Sequence, residues 1–256
     1  MVLKRILSIG ARRADRLHAV PDGQRIYAIG DVHGCLGLLD DLIAKIDADD
    51  AMRGKAPTRL IFLGDLIDRG PDSRGVVERV SQISKERPDT VLLKGNHEEI
   101  LLLTHRGDRR AASLFHRVGG RATLLSYGVP ADDYDSCDTG DLPELVRRYV
   151  PEEHIAFLAS FEDFYEAGDY LFVHAGVRPG VPLLEQKKSD LRWIRSEFLD
   201  HQGSHGRIVV HGHSISAEVE ERPNRIGIDT GGYASGQLTA VGLEGSDRWY
   251  LKGARP

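Results

Sequence analysis

Three short apolar runs in the first hundred residues each end in a glycine followed by a cluster of chemically active side chains. Arg25–Gly30 (RIYAIG) leads into Asp31-Val32-His33-Gly34, Leu60–Gly64 (LIFLG) into Asp65-Leu66-Ile67-Asp68-Arg69-Gly70, and Thr90–Gly95 (TVLLKG) into Asn96-His97-Glu98. Runs this short, apolar and partly β-branched read as buried strands. Apolar residues at helical spacing follow over Leu36–Ile46, near Ser73–Ser84 and from about Glu98 to His105. Strand, loop and helix repeated three times predict an α/β fold with a largely parallel sheet flanked by helices.

The rest of the chain organises around that core. The 256 residues suit one large domain or two small ones. Residues 107–168 lose the strand–helix rhythm, with an acidic, turn-rich stretch and then helical patterning around Leu145–Phe161, and read as a mainly helical insertion. Short strands are expected at Tyr170–His174, Arg207–Val210, Asn224–Ile228, Gln237–Leu243 and Arg248–Leu251, close enough together to predict a mostly antiparallel second half. Residues 25–256 therefore read as a single domain, preceded by a basic arm over residues 1–24. Within residues 1–19 the arm sets Lys4, Arg5, Arg12, Arg13 and Arg16 against Asp15 alone, which fits a solvated arm better than a membrane-surface helix. Its short apolar stretch, broken by Gly10, is unlike a secretory signal.

Composition removes several classes of function. Lys plus Arg number 34 against 39 for Asp plus Glu, a net charge of −5 without the basic field that non-specific nucleic-acid binding needs. No apolar run approaches the roughly 18 residues of a membrane span. The two cysteines, Cys35 and Cys137, cannot build a disulfide framework and fit a reducing, cytoplasmic setting. A soluble enzyme-sized domain remains.

Ligand sites in open α/β sheets gather outside the carboxyl ends of the strands. Here those ends deliver Asp31, His33, Asp65, Asp68, Asn96 and His97 to one edge, and two later strands finish at His174 (LFVHAG) and His213 (VVHGHS). Asp31 and His33 are two residues apart, so extended backbone points both the same way. Mixed imidazole and oxygen donors suit Mn, Fe, Zn or Co. Asp65 has two oxygens with which to bridge two ions, which in two-metal hydrolases lie about 3.5–4 Å apart. Two divalent cations against Asp31, Asp65 and a hydroxide leave a positive centre that attracts an anion. Arg69 adds a planar donor fork suited to phosphate. Glu98, at a helix start beside His97, reads as a supporting acid rather than a ligand. Cys35 reads as a small buried filler, and His211 as a lesser candidate ligand or substrate contact.

With its GDxHG, GDxxDRG and GNHE motifs intact at Gly30–Gly34, Gly64–Gly70 and Gly95–Glu98, the sequence resembles the calcineurin-like metallophosphoesterases. Within them it is most similar to the phosphoprotein phosphatase branch and its small bacterial and phage members. The resemblance covers roughly residues 25–243. It implies an α/β/β/α sandwich of two mixed sheets flanked by helices, and two divalent metal ions, manganese foremost. Asp31, His33 and Asp65 would hold the first ion; Asp65, Asn96, His174 and His213 would hold the second. His97 would be the general acid, with Asp68 paired to it. Arg69 and Arg195 would clamp the phosphate, with Arg192 as the substitute for Arg195. The reaction implied is direct attack of a metal-bridging hydroxide on phosphorus, in a phosphorylated protein or a small phosphate ester. Serine/threonine protein phosphatase is the leading expectation. The alternative is symmetrical hydrolysis of diadenosine tetraphosphate, which would need base-stacking surfaces; Tyr127, Tyr134 and Tyr149 of the insertion are the aromatic residues considered for them.

Overall fold

All five residues of strand β1 (Arg25–Ile29) are buried, as a strand covered on both faces requires. Its alternation divides the molecule. Tyr27 and Ile29 face one apolar core, while Ile26 and Ala28 face another. The computed structural model describes residues 18–254, so the arm up to residue 17 and its surface-helix alternative lie outside the described residues.

β1 pairs in parallel with β2 (Thr58–Phe62), and β2 in parallel with β3 (Val91–Leu92). The second sheet contains β4 (Phe164–Ala167), β5 (Tyr170–Val173), β6 (Ile208–His211), β7 (Glu220–Arg222) and β8 (Arg225–Gly227). The last two strands, β9 (Gln237–Glu244) and β10 (Asp247–Ala254), return to the first sheet, where β9 runs antiparallel to β1. The two five-stranded sheets have the orders β10-β9-β1-β2-β3 and β4-β5-β6-β8-β7. Both are mixed. In the second, β5, β6 and β8 run parallel and only the edge strands β4 and β7 are antiparallel. The expectation of a mostly antiparallel second half therefore holds for β9 and β10 and fails for the centre of this sheet. The chain between β5 and β6 is a crossover long enough to carry helices α9 and α10, described below, and such a connection returns a strand in parallel.

The alternation of each strand sorts its side chains into layers. Ile26, Ala28 and Ile61 meet Tyr170, Phe172, Ile208 and Val210 between the sheets. On the outer face of the first sheet, Tyr27, Ile29 and Phe62 pack against α1 (Leu36–Met52), α2 (Ser73–Glu86) and α3 (Asn96–His105). Five helices follow before β4: α4 (Arg109–Val118), α5 (Gly120–Ser126), α6 (Ala131–Ser136), α7 (Leu142–Tyr149) and α8 (Glu152–Ala159). Phe115, Leu124, Val146 and Leu158 of these helices join the same core as Leu39 and Phe62. On the outer face of the second sheet, Leu171, Val173 and Val209 pack against α9 (Lys188–Trp193) and α10 (Ser196–Leu199). A last short helix, α11 (Gly232–Ser235), precedes β9. Helix, sheet, sheet, helix is the layering that the resemblance implies.

Two edge strands escape the sequence pattern. β4 (Phe-Tyr-Glu-Ala) is only four residues long and falls inside the stretch read as helical, and β7 is the polar tripeptide Glu-Glu-Arg; both are short and partly exposed. Helix α3 begins at Asn96, earlier than the expected Glu98, because the Glu98 carboxylate accepts a 2.9 Å hydrogen bond from the Gly95 N–H and caps the helix.

Candidate metal centre

The parallel strands of both sheets end at one edge, and their loops carry the reactive residues. These loops have unusual backbone. Among the described residues the non-glycine positions with positive φ are His33 (45°), Asp65 (50°), Asp68 (71°), Arg69 (67°) and His213 (62°). Left-handed backbone is costly for such residues and persists only where the surroundings enforce it. Glycines let the loops close: a Cβ at Gly95 or Gly212 would overlap Oδ1 of Asp65 or of Asp31. Gly64 itself has φ +103°, which a side chain would resist.

Asp65 is the hub. Its Oδ2 lies 3.7 Å from His33 Nε2, 3.8 Å from His97 Nε2 and 3.4 Å from His174 Nε2. Two trios of buried side chains, His33–Asp65–His97 and Asp65–His174–His213, each bring one candidate ligand atom per residue within 4.8 Å of the others. Asn96 Oδ1 stands 3.0 Å from His174 Nε2. Asp31 is in neither trio. Its carboxylate accepts the His213 backbone N–H at 3.0 and 3.2 Å, which pins the β1 loop to the β6 loop.

The donor set fits cations. His33 Nδ1 and His174 Nδ1 donate to the carbonyls of Ile67 (2.7 Å) and Leu63 (2.9 Å), so the lone pair of each ring is on Nε2, facing Asp65. His213 Nε2 is buried without a hydrogen-bond partner. Burial holds His33 well below the usual imidazole range, His174 at about 4 and His213 at about 2, which keeps all three in the neutral, ligating form. The carboxylates move the other way. Burial first, then the charge of Asp229 and Asp65, pushes Asp31 up, and burial pushes Asp65 up. A cluster of buried acids beside neutral imidazoles is a site that gains by taking up positive charge.

His97 differs from the other histidines. Its Nδ1 lies 2.6 Å from Asp68 Oδ2, and Asp68 Oδ1 accepts from Thr123 Oγ1 at 2.5 Å. Burial works against the imidazolium, but the charge of Asp65 and the bond to Asp68 outweigh it and raise His97 above the ordinary value. Arg69 opposes that rise, with Nη1 2.9 Å from His33 Nε2 and Nη2 3.1 Å from His97 Nε2. Its guanidinium carbon sits 4.9 Å from the centre of the Tyr233 ring.

The two arginines after α9's start have separate surroundings. Arg192 is buried and paired with Glu99 (2.5 Å) and with Asp163, so it anchors α9 to α3 and is not free to meet a substrate. Arg195 is exposed, and its Nη1 is 3.4 Å from Oγ of Ser214, the residue after His213. Glu98 accepts from the backbone N–H groups of Asp65 (2.9 Å), Leu66 (2.8 Å) and Gly95 (2.9 Å), tying the second loop to the third. His211 Nδ1 donates to Gly212 O at 3.0 Å and its ring packs edge-on against Phe198, away from the trios. Cys35 is buried, its thiol 3.4 Å from the His33 carbonyl.

The family model of the calcineurin-like phosphoesterases matches residues 24–235, a span containing every residue of this cluster. The chain belongs to that family. Among its relatives, this phosphoesterase is 26% identical over 231 residues to an asymmetrical bis(5′-nucleosyl)-tetraphosphatase of Anoxybacillus flavithermus, covering 83% of this chain and 88% of the relative. It is 35% identical over 156 residues to a symmetrical bis(5′-nucleosyl)-tetraphosphatase of a Janthinobacterium species, covering 60% of this chain and 44% of the relative. A crystal structure of a candidate diadenosine tetraphosphatase superposes with a TM-score of 0.61 at 20% identity, over 94% of this chain and 100% of that one. At that identity the likeness is one of fold.

The phosphoesterase places its aromatic residues differently from the expectation. Tyr127 and Tyr134 are buried in the helical core, hydrogen-bonded to His154 and His116, and present no stacking surface. The rings beside the cluster are Tyr233, edge-on to His33 at 5.5 Å, and Trp193, edge-on to His213 at 6.5 Å. Both are half-buried. Asp229 is a further site-edge residue absent from the motifs; the sequence signal was that it stands directly after the expected strand Asn224–Ile228, as Asp31 and Asp65 stand directly after theirs.

Proposed function

We propose that this phosphoesterase hydrolyses bis(5′-nucleosyl) polyphosphates, cutting a phosphoanhydride bond of the bridge between the two nucleosides. The observation that carries this reading is that relatives aligned over more than four-fifths of the chain bear that activity in their names. Geometry lends support. Tyr233 and Trp193 stand beside opposite members of the histidine cluster, so a bridge lying over Asp65 would have a ring near each end. Phosphoserine and phosphothreonine in proteins are the second reading, as substrates that the same polar residues suit.

Asp31, His33 and Asp65 would hold one divalent ion, and Asp65, Asn96, His174 and His213 a second, with Mn favoured and Fe, Zn or Co compatible with the donors. When bound, such ions supply Lewis-acid stabilisation of phosphoryl charge and an activated water. Arg69 and Arg195 grip the non-bridging oxygens of the attacked phosphoryl group and stabilise the charge that builds on them. Water oxygen forms the new bond to phosphorus while the bridging P–O bond breaks. His97 hands a proton from Nε2 to the departing oxygen, and Asp68, on Nδ1, fixes the ring for that transfer.

The test is a side-by-side assay of diadenosine tetraphosphate and a phosphoserine peptide with Mn²⁺-reconstituted protein, products separated by ion exchange. Faster turnover of the dinucleotide per unit of kcat/KM is expected, yielding either two ADP or ATP plus AMP. A clear preference for the phosphopeptide would overturn the proposal in favour of a protein phosphatase.

A further inference from the structure

Asp229 follows β8, a strand parallel to β6, and so reaches the same edge as His213. It is 2% exposed. Its Oδ1 accepts the Gly231 N–H at 2.9 Å, while its Oδ2 is buried with no hydrogen-bond partner in the protein. The backbone around it is held. The Asp229 carbonyl accepts from Ser216 N–H at 3.0 Å, and the Thr230 hydroxyl donates to Gln237 O at 2.8 Å and meets Thr239 Oγ1 at 2.9 Å. The carboxylate is thus fixed against rotation toward solvent.

A turn-capping role would use Oδ1 alone, and asparagine would serve it equally well. It leaves the second oxygen unexplained. Buried carboxylate oxygens are costly without a donor, so an unpartnered one marks a place where something else donates. The groups around Asp229 belong to the cluster: it interacts electrostatically with Asp31, Asp65, His174 and Arg69. Arg69 is engaged with His33 and His97, and His174 uses both ring nitrogens elsewhere. Among the described residues no side chain donates to Oδ2. A water bound within the centre would be a donor of the right size.

We propose that Asp229 is a positioning residue of the hydrolytic centre, its Oδ2 accepting a hydrogen bond from the nucleophilic water and thereby turning the water's attacking lone pair toward phosphorus. This rests on the reading of the edge as a phosphate-ester hydrolase and not on which ester is cut. With one hydrogen held by Oδ2, the water is left with its reacting lone pair free to face phosphorus. Orientation of this kind raises turnover without adding affinity for the substrate, because it acts on the reacting water and touches no substrate group.

The experiment compares Asp229→Asn and Asp229→Ala with the unmodified protein, using Mn²⁺ calorimetry, p-nitrophenyl phosphate and diadenosine tetraphosphate. Asp229→Asn keeps the bond to Gly231 but presents an amide where the acceptor stood. It should keep the Mn²⁺ stoichiometry and affinity of the parent, lose on the order of 10–100-fold in kcat, the usual loss when an outer-shell partner is removed, and change KM less than about threefold. Wild-type kcat in a folded Asp229→Asn would overturn the proposal, leaving only a capping role. A tenfold weaker Mn²⁺ affinity would also overturn it, making Asp229 a ligand. Should both variants fail to fold, the Mn²⁺-loaded crystal structure of the unmodified protein decides: a water about 2.6–3.2 Å from Oδ2 is expected, and its absence or a direct metal bond counts against. Inactivity of the unmodified protein on diadenosine tetraphosphate alone would sink the substrate reading and leave this one standing on p-nitrophenyl phosphate.

Discussion

His97 and Asp68 are joined at 2.6 Å through Nδ1 and Oδ2, at the base of a loop whose residues Asp68 and Arg69 both adopt left-handed backbone. The contact fixes the ring so that Nε2 faces Asp65, and it contributes to the raised proton affinity of His97. Strain in the loop is the means by which an aspartate three residues after Asp65 turns back to meet a histidine on another strand end.

Raising His97 extends the acid form to higher pH than an ordinary imidazole allows, so activity that needs it falls as pH rises through the His97 value. Asp68→Asn removes one of the two supports and should move that basic limb to lower pH, with kcat down about 10–100-fold. A pH–rate profile with an unshifted basic limb would separate Asp68 from the acid.

The need for an acid depends on the leaving group. His97→Ala should lower turnover of an alkyl phosphate on the order of 10²–10⁴-fold, and that of p-nitrophenyl phosphate far less, because nitrophenolate leaves without a proton. The comparison is made at saturating Mn²⁺. Equal losses on both esters would point to misplaced ligands instead.

On the proposed assignment, protons and metal would compete for Asp31 and Asp65. Burial raises both carboxylates, which favours their protonated form, whereas it lowers His33, His174 and His213 and so favours their neutral form. Mn²⁺ at 100 times its Kd should stabilise the stripped protein by about 2.7 kcal/mol per ion bound near neutral pH. At fixed Mn²⁺ the increment should shrink as pH falls through the raised carboxylate values. Scanning calorimetry at several pH values, with and without Mn²⁺, measures this directly.

Arg195 and Arg192 should separate cleanly. Arg195→Ala removes an exposed guanidinium and is expected to lower kcat/KM roughly tenfold or more with an unchanged Tm. Arg192→Ala removes a buried guanidinium shared by Glu99 and Asp163, which keep Trp193 and Lys188 as partners, and should cost about 1.5–3 kcal/mol, seen as an earlier urea midpoint.

Tyr233→Ala should raise KM for diadenosine tetraphosphate about 10-fold while moving KM for p-nitrophenyl phosphate much less, in line with base-stacking energies of about 1–3 kcal/mol. Steady-state kinetics on the two substrates give the answer. A parallel rise for both would assign Tyr233 to holding Arg69 rather than to a base.

The sequence by itself determined the first sheet's parallel strands, the edge at which the site lies and the identity of most polar side chains there. These are local properties: apolar runs of strand length, glycines that permit close turns, and reactive residues directly after them. Tertiary structure alone decided which neighbour each side chain meets. Arg192 and Arg195 are three residues apart with like chemistry, yet one is buried between Glu99 and Asp163 and the other is exposed. Asp229 lies two residues past the end of β8, and the parallel pairing of β8 with β6 carries it to the edge shared with Asp31 and Asp65. β7 formed where the sequence is polar, and β4 over only four residues, because an edge strand needs one hydrogen-bonded neighbour more than it needs a long apolar face. Pairings of this kind join residues far apart in the chain, and their energies depend on what surrounds them, which no local pattern encodes.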